Sequence, residues 1–554
     1  MAKNRSGNQQ LQFPVCGSDP SQAGSILGKR FDSSFRNGRL QADVLVMGSG
    51  FGGSLLSLVL AKRGFTVVMV DRQAHPRFTI GESSTPLADA ELRRLAADYD
   101  LPELIPLTAW GLWKRCLPNL TCGRKRGFSY FGHRSDRPFH PEDQLLAAAS
   151  LSDDVSDTQW LRSDVDQFVF ELAVRNGVRS LVSGASQLTQ TQTGWQLLAA
   201  DDSGAEVLVP ADFVVDATGG RNAVLSVLNI PDATSELLTH SSAVYAHFQN
   251  VVPMQTILTR HGISTQRHPF PCDAGALHQV LEDGWMWQLR FDDNSVSAGI
   301  VLRDSGQVEN LSPEERWERQ LKKYPLLAEQ FADARVIRPG NELIATGRLQ
   351  RLAARGAGTN WAALPNTIGF IDPLHSTGLA HTITGLRRLA DILLSANECP
   401  SEGRKSLIGS VVGSALEEYS QCVIGELHQI DRLVAGCYEA LPSFRLWSDW
   451  CMLYFAAVTS MERSDQTALS RTLLLADDVQ FCSVLNEARV RLQIAKEQRA
   501  SPEACAEFES WLAGAIRPWN RAGLLNPESA GMYADTAAPD ISQEDWFRRM
   551  FEDR

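Results

Sequence analysis

Between Asp43 and Asp71 the chain carries a pattern that leaves few folds open. The apolar run Asp43-Val-Leu-Val-Met ends at Gly48, and glycines recur at Gly50 and Gly53 before an apolar segment, 54–62, that stops at Gly64. A second apolar run, 66–70, ends in Asp71, 23 residues past Gly48. Read physically, this is a strand, a tight turn, a helix and a second strand. Gly48 permits the turn, Gly50 lets the backbone approach a pyrophosphate, and Gly53 lets the helix pack closely on the strand. The free N–H groups of the helix N-terminus then face the phosphates. Asp71 falls near the ~20-residue spacing of a carboxylate that holds ribose hydroxyls. The pattern predicts a βαβ unit that binds a dinucleotide.

The remaining sequence narrows the class. A chain of 554 residues is too long for one simple core and suggests about two to four structural units. The formal charge of −12 argues against a sequence-independent grip on nucleic acid. No run reaches the ~18 apolar residues of a membrane span, and the most apolar stretch, 450–458, reads as a buried helix. The ten cysteines show no CxxC pairs, which points to reduced thiols and a cytoplasmic protein. His240, His247, His261, His268 and His381 have no metal-ligand spacing with cysteines or acids, so no metal is expected. Residues 1–41, rich in Ser, Gly, Asn and Gln, read as a flexible tail without a secretory signal.

Helical periodicity is expected over 88–99 and over 168–176, which Gly177 would close. The segment 195–209 reads as a hairpin turning at 201–204, and 213–218 as a short buried strand. Segments 243–252, 284–291 and 296–302 alternate as strands of a second sheet. A further apolar strand is expected at 367–372, with a helix at 377–394 behind it. Beyond 395 the pattern is helical at 406–441, 446–459, 477–498 and 502–516. The expected class is α/β: a Rossmann-like module over 42–395, an antiparallel or mixed sheet inserted at about 231–340, and a helical C-terminal region over 396–554.

Further segments sharpen the assignment: Phe78-Thr-Ile-Gly81-Glu82-Ser83-Ser-Thr-Pro86, Arg124-Lys125-Arg126-Gly-Phe-Ser-Tyr-Phe131, Arg162-Ser-Asp-Val-Asp166, Val215-Asp216-Ala-Thr-Gly219 and Gly369-Phe-Ile-Asp372-Pro-Leu-His375-Ser376-Thr377-Gly378. This constellation resembles the FAD-dependent monooxygenase superfamily and, within it, the flavin-dependent halogenases of the tryptophan and phenol or pyrrole types. The resemblance runs from Asp43 to about Leu394. It implies FAD, reduced by a separate flavin reductase, which with oxygen and halide yields hypohalous acid for a lysine beside a small aromatic substrate. Whether that substrate is free or carrier-bound stays open, as does the oligomeric state.

The matching lysine is Lys125. Spacing alone favours reading 124–126 as a solvated basic patch, Lys114 is a rival, and Arg124 or Arg126 could approach an anionic substrate or a flavin phosphate. To the cofactor the resemblance assigns Phe51, Arg72, Glu82, Ser83, Arg162, Asp216 and Gly219, with Asp372, Gly378 and Leu379 nearer the ring. Ser376, Thr377 and Gly378 are implied as the halide site, with Trp285, Trp287 and His375 on the substrate side.

Two departures stand out. The family's Trp-x-Trp-x-Ile-Pro strand is here Trp285-Met-Trp287-Gln-Leu289-Arg290, and His375 occupies a position usually aromatic or aliphatic. Replacing Pro by Arg290 restores an N–H and adds a charge. His375 could serve as an acid or base, or simply as a hydrogen-bonded loop residue. The aromatic stripe Trp447, Trp450, Tyr454 and Phe455 reads either as packed core or as a cover over an aromatic substrate. The alternatives to halogenation are a monooxygenase or oxidase of the same fold, or a flavoenzyme like the geranylgeranyl reductases.

Overall fold

The computed structural model describes residues 41–184, 186–200, 204–304, 311–395, 411–463 and 472–536. The expected tail over 1–40, the turn residues 201–203 and the expected helix start at 406–410 lie outside them.

Strand β1 (Ala42–Met47), helix α1 (Phe51–Lys62) and strand β2 (Val67–Asp71) form the opening unit. Helices α2 (Pro86–Asp98) and α3 (Trp110–Cys116) lead to strands β3 (Cys122–Lys125), β4 (Gly127–Gly132), β5 (Gln144–Ala148) and β6 (Asp157–Trp160). After α4 (Arg162–Arg175) come β7 (Arg179–Val182), β8 (Ser186–Thr191), β9 (Gly194–Ala200), β10 (Glu206–Asp216) and the short α5 (Ala223–Val227). The middle of the chain supplies β11 (Ser241–Gln249), α6 (Met254–Arg260), β12 (Ala276–Val280), β13 (Gly284–Arg290) and β14 (Val296–Arg303). Then follow α7 (Pro313–Lys323), α8 (Pro325–Gln330), β15 (Arg335–Arg338), β16 (Ile344–Arg348), β17 (Arg351–Leu352), β18 (Ala357–Gly358) and β19 (Trp361–Ala363). A single turn α9 (Pro365–Ile368) and β20 (Gly369–Phe370) precede α10 (Thr377–Ser395). The remainder is α11 (Val411–Ala440), α12 (Phe444–Glu462), α13 (Val479–Glu497), α14 (Pro502–Ala515) and β21 (Met532–Tyr533).

The first sheet has the order β18-β19-β10-β1-β2-β7, with the β8–β9 hairpin joined to β10. Strands β19, β10, β1, β2 and β7 run parallel, and Met47 lies opposite both Asp216 and Val70. Three carboxyl ends therefore meet beside the β1–α1 turn, the crevice where open α/β sheets bind ligands. The strands are apolar along their length because both faces are covered, and Leu45, Val46, Val68, Met69 and Val214 are fully buried.

The second sheet has the order β15-β11-β14-β13-β12-β4-β5-β21, with β16 also on β11. It is wider than the expected insertion at about 231–340, because 127–132, 144–148 and 532–533 add strands at the β12 side. Two further expectations change. The run 213–218 is the end of the long strand β10, which continues from the hairpin. The run 367–372 is a helical turn plus two strand residues: Pro365 starts the turn, and β19 already takes the place beside β10. Local apolarity could not show which short run wins that edge.

Candidate active site

The turn after β1 is built as tightly as the spacing suggested. A Cβ on Gly53 would sit 2.0 Å from the Gly48 carbonyl oxygen, and one on Gly48, whose φ is +107°, would meet the Ala217 carbonyl oxygen at 2.4 Å. These backbones touch only because both side chains are absent. The turn opens into a cleft of about 900 Å³ lined by Gly48, Gly50, Phe51, Gly53, Asp71, Arg72, Arg77, Arg162 and Gly219. Asp71 is set for one ionisation state. Burial opposes its charge, yet the Ser49 N–H at 2.7 Å and Arg77 at 2.7 Å outweigh it and hold the carboxyl below its usual range. Arg162 is locked by Asp166 and donates to the carbonyls of Ile80 and Gly81, so the 78–86 segment is tied to the start of α4. A Gly-lined turn at a helix N-terminus, two arginines and a fixed carboxylate fit the pyrophosphate and ribose of a dinucleotide.

Arg162 and Asn366 also line a second, smaller pocket of about 180 Å³ further into the molecule. Its walls include Gly81, Glu82, Ser83, His278, Trp287, Leu289, Asp372, Ser376, Thr377, Gly378 and Leu379. Glu82 is buried against His247 at 2.9 Å. Asp372 accepts hydrogen bonds from Tyr438 Oη at 2.8 Å and Ser241 Oγ at 3.3 Å. Burial nevertheless pushes its carboxyl up to about 7, against those bonds. Thr377 and Gly378 open the 19-residue helix α10, so their N–H groups have no acceptor within the helix, and a Cβ on Gly378 would meet nothing within 4 Å.

Lys125 lies just behind this pocket, in β3, and is 0% exposed. Its ammonium donates to the carbonyl oxygen of Ser84, the neighbour of the pocket residue Ser83, and sits 4.3 Å from the Phe128 ring centroid. Burial lowers its pKa to about 8, against the carboxylates of Asp157, Asp89 and Glu462. Asp157 is opposite Lys125 in the β3–β6 pair, and Asp89 accepts from Ser84 Oγ at 2.5 Å. Burial raises the carboxyls of Asp89 and Asp157 alike, and that of Glu462 to about 8. His278, on the pocket wall, is held neutral, its pKa pushed to about 3 by burial and by the Lys125 charge. The solvated-patch reading fails for Lys125 but suits its neighbours: Arg124 and Arg126 both pair with Asp153, outside either cavity. Lys114 is half-exposed and paired with Asp292 at 2.9 Å.

Besides Lys125, three expected residues sit elsewhere than the pockets. Asp216 is buried behind the cleft wall, its carboxylate consumed by Thr218 and by the backbone N–H groups of Val224 and Leu225 at the start of α5. Trp285 packs beside Trp287 and donates its indole N–H to Tyr438 Oη at 3.2 Å, one step from Asp372. His375 turns away from the pocket, stacks on Tyr454 with centroids 4.3 Å apart, and points its Nε2 at Cys437 Sγ. Strand alternation sets Arg290 apart from the pocket. Trp287 and Leu289 face the pocket, whereas Arg290 lies on the opposite face and donates to the Val251 carbonyl at 3.0 Å. The stripe Trp447, Trp450, Tyr454 and Phe455 is buried throughout, with Phe455 and Tyr454 edge-on to Phe128. Sequence reasoning missed Asp89, Asp157, Glu462, His278 and Tyr438, which come together only through pairing and packing. It also missed that His375, Cys437 and Cys451 meet, against the expectation of no metal-ligand group.

A family model described as tryptophan halogenase matches residues 159–405. The tetracycline 7-halogenase of Kitasatospora aureofaciens is 28% identical over 469 residues, spanning 82% of this chain and 79% of that protein. The monodechloroaminopyrrolnitrin halogenase PrnC of Pseudomonas fluorescens is 27% identical over 421 residues, spanning 74% and 70%. Among solved structures, the halogenase PltM in complex with phloroglucinol and FAD is similar at a TM-score of 0.76 and 25% identity, covering 90% of this chain and 99% of that one.

The cleft geometry makes Gly50 a clean test. A Cβ there meets only Arg77 and Asp166, each at 3.7 Å, so a larger side chain projects into the cleft rather than into the core. Gly50→Val is expected to melt like the wild type yet to lose uptake of the dinucleotide, measured by flavin absorbance after desalting. Retained stoichiometric uptake would contradict the assignment of this cleft.

Proposed function

The chain belongs to the flavin-dependent halogenase family, and on that premise we propose that it attaches chloride or bromide to an electron-rich aromatic natural-product precursor, with Lys125 as the residue that meets the oxidant. When bound and reduced, FAD supplies with oxygen and halide the hypohalous acid that such a reaction consumes. The ADP half would lie in the cleft on Gly48, Gly50, Phe51, Gly53, Asp71 and Arg72, and the flavin in the inner pocket against Glu82, Ser83, Asp372, Gly378 and Leu379. Trp287 and Leu289 wall that pocket toward the sheet. The free N–H groups of Thr377 and Gly378, at the positive end of α10, suit a halide ion. Reduced flavin would come from a separate reductase, since one dinucleotide fingerprint is present in the sequence.

The observation that carries this reading is the burial of Lys125 one residue behind the pocket wall. A fixed ammonium there can donate a hydrogen bond to the oxygen of hypohalous acid, polarising the O–halogen bond so that the halogen is the electrophile. Asp157, the charge that counters burial most, keeps the amine protonated in a place where burial alone would neutralise it. Phe128 covers it with apolar surface, backed by Tyr454 and Phe455 packed edge-on to that ring, which limits water, the competing nucleophile.

The function is tested by incubating the protein with FAD, a flavin reductase, NADH, bromide and a panel of phenols, indoles and pyrroles. The expected outcome is a product with the bromine isotope doublet that depends on the reductase. Hydroxylated product without bromine, or rapid flavin reduction by NADH with this protein alone, would contradict it. Lys125 adds a pH signature. Its ammonium is present below about 8 and lost above it, so turnover should fall by roughly tenfold per unit once pH passes that value. Flavin uptake should stay level over the same range. A halogenation rate that is flat or rising between about pH 7 and about pH 9.5 would show that the ammonium is not the working form.

A further inference from the structure

Beside the 372–378 loop, three side chains from separate parts of the chain converge in the interior. His375 Nε2 lies 3.6 Å from Cys437 Sγ, and Cys437 Sγ lies 3.9 Å from Cys451 Sγ. The three ligand atoms all fall within 4.8 Å of one another, and each residue is at most 2% exposed. The histidine comes from the loop before α10, and the cysteines come from the facing helices α11 and α12.

Two edges of this triangle, 3.6 Å from nitrogen to sulfur and 3.9 Å between the sulfurs, match those of a coordination site. A cation bound at ~2.3 Å to sulfur and ~2.0–2.1 Å to nitrogen, with angles between trigonal and tetrahedral, separates two sulfurs by about 3.8–4.0 Å and sulfur from nitrogen by about 3.5–3.8 Å. The histidine is also aimed. Its ring is stacked on Tyr454, within 7° of parallel, and its backbone carbonyl accepts from Tyr454 Oη at 3.0 Å. The next residue, Ser376, has a φ of +53°, which a non-glycine side chain seldom adopts. Yet the polar contacts of this buried ring amount to one thiol, and its Nδ1 has no hydrogen-bond partner. The nitrogen that faces the sulfurs is Nε2, whose one polar contact is the weak one to the Cys437 thiol, so the ring is held firmly toward two soft ligand atoms.

We propose that His375, Cys437 and Cys451 form a binding site for one soft, thiophilic cation, with Zn(II) as the probe. Two sulfurs and one imidazole nitrogen favour such an ion over Mg(II) or Ca(II), which prefer oxygen. Occupancy ties the 372–378 loop, and with it the pocket residues Asp372 and Ser376–Gly378, to α11 and α12. The site is closed to solvent, so the ion enters as the chain folds rather than through the finished wall. This inference stands apart from the halogenation reading, since the triangle lies outside both cavities.

The test uses the full chain, expressed with added zinc, desalted and measured for metal and for flavin uptake. The wild type is expected to carry about one zinc per chain, and Cys451→Ala and Cys437→Ser each less than about one tenth of that, with flavin uptake kept. Folding in Co(II) instead should give a thiolate-to-cobalt charge-transfer band in the wild type that either variant abolishes. Metal absent from the wild type in both preparations, zinc content unchanged by the two substitutions, or a Cys437–Cys451 disulfide in the purified protein would each overturn the proposal.

Discussion

A lysine ammonium with no exposed surface is the constraint around which the second half of this fold is arranged. Burying a lone cation is costly enough that the group would normally give up its proton. Lys125 keeps a pKa near 8 because carboxylates reach it from three directions: Asp157 across the β3–β6 pair, Asp89 from the first turn of α2, and Glu462 from the end of α12. Removing one member of a buried charge set ordinarily costs about 3–5 kcal/mol, so these elements are coupled to the lysine and to one another. The C-terminal helices are thereby joined to the site, and are more than a cap. The acids balance the cation imperfectly, since burial raises the carboxyls of all three.

The inner pocket is braced in the same manner, by chains of buried polar groups. Trp285, Tyr438 and Asp372 form a chain from β13 through α11 to the pocket wall. On the other side, Glu426 of α11 accepts from Arg388 at 2.6 Å and meets His381 at 3.2 Å, both on α10. Burial works against that carboxylate, yet His381 and Arg388 hold its pKa down to about 2. The helix whose N-terminus faces the pocket is thus fixed to its neighbour by charge as well as by packing.

The dinucleotide cleft was legible in the sequence because its determinants are local. Gly48, Gly50 and Gly53 act within one turn, and Asp71 closes a single βαβ unit. The strands at 243–252, 284–291 and 296–302 were legible through alternation, which is set residue by residue. What escaped depends on tertiary choice. The run 367–372 is apolar enough for a strand but lost the edge of β10 to β19, and the second sheet drew in 127–132 from far upstream. Basic residues 124–126 look alike in sequence, yet pairing buries the middle one and leaves its neighbours to Asp153. Arg290 seemed to break the family's strand, although period-two alternation puts it on the face away from the pocket. His375 and the two cysteines share no spacing at all.

The claim that most of this account rests on is that Lys125, and no other group, passes the oxidant to substrate. The direct measurement is the partition of turnover in Lys125→Met, an unbranched neutral replacement, with reductase, bromide and an accepted aromatic present. Oxygen uptake and brominated product are followed together. The account predicts flavin binding and oxygen consumption close to wild type, with bromination down at least ~100-fold, the lower end for loss of one positioned donor. Bromination at the wild-type rate in that variant would contradict it.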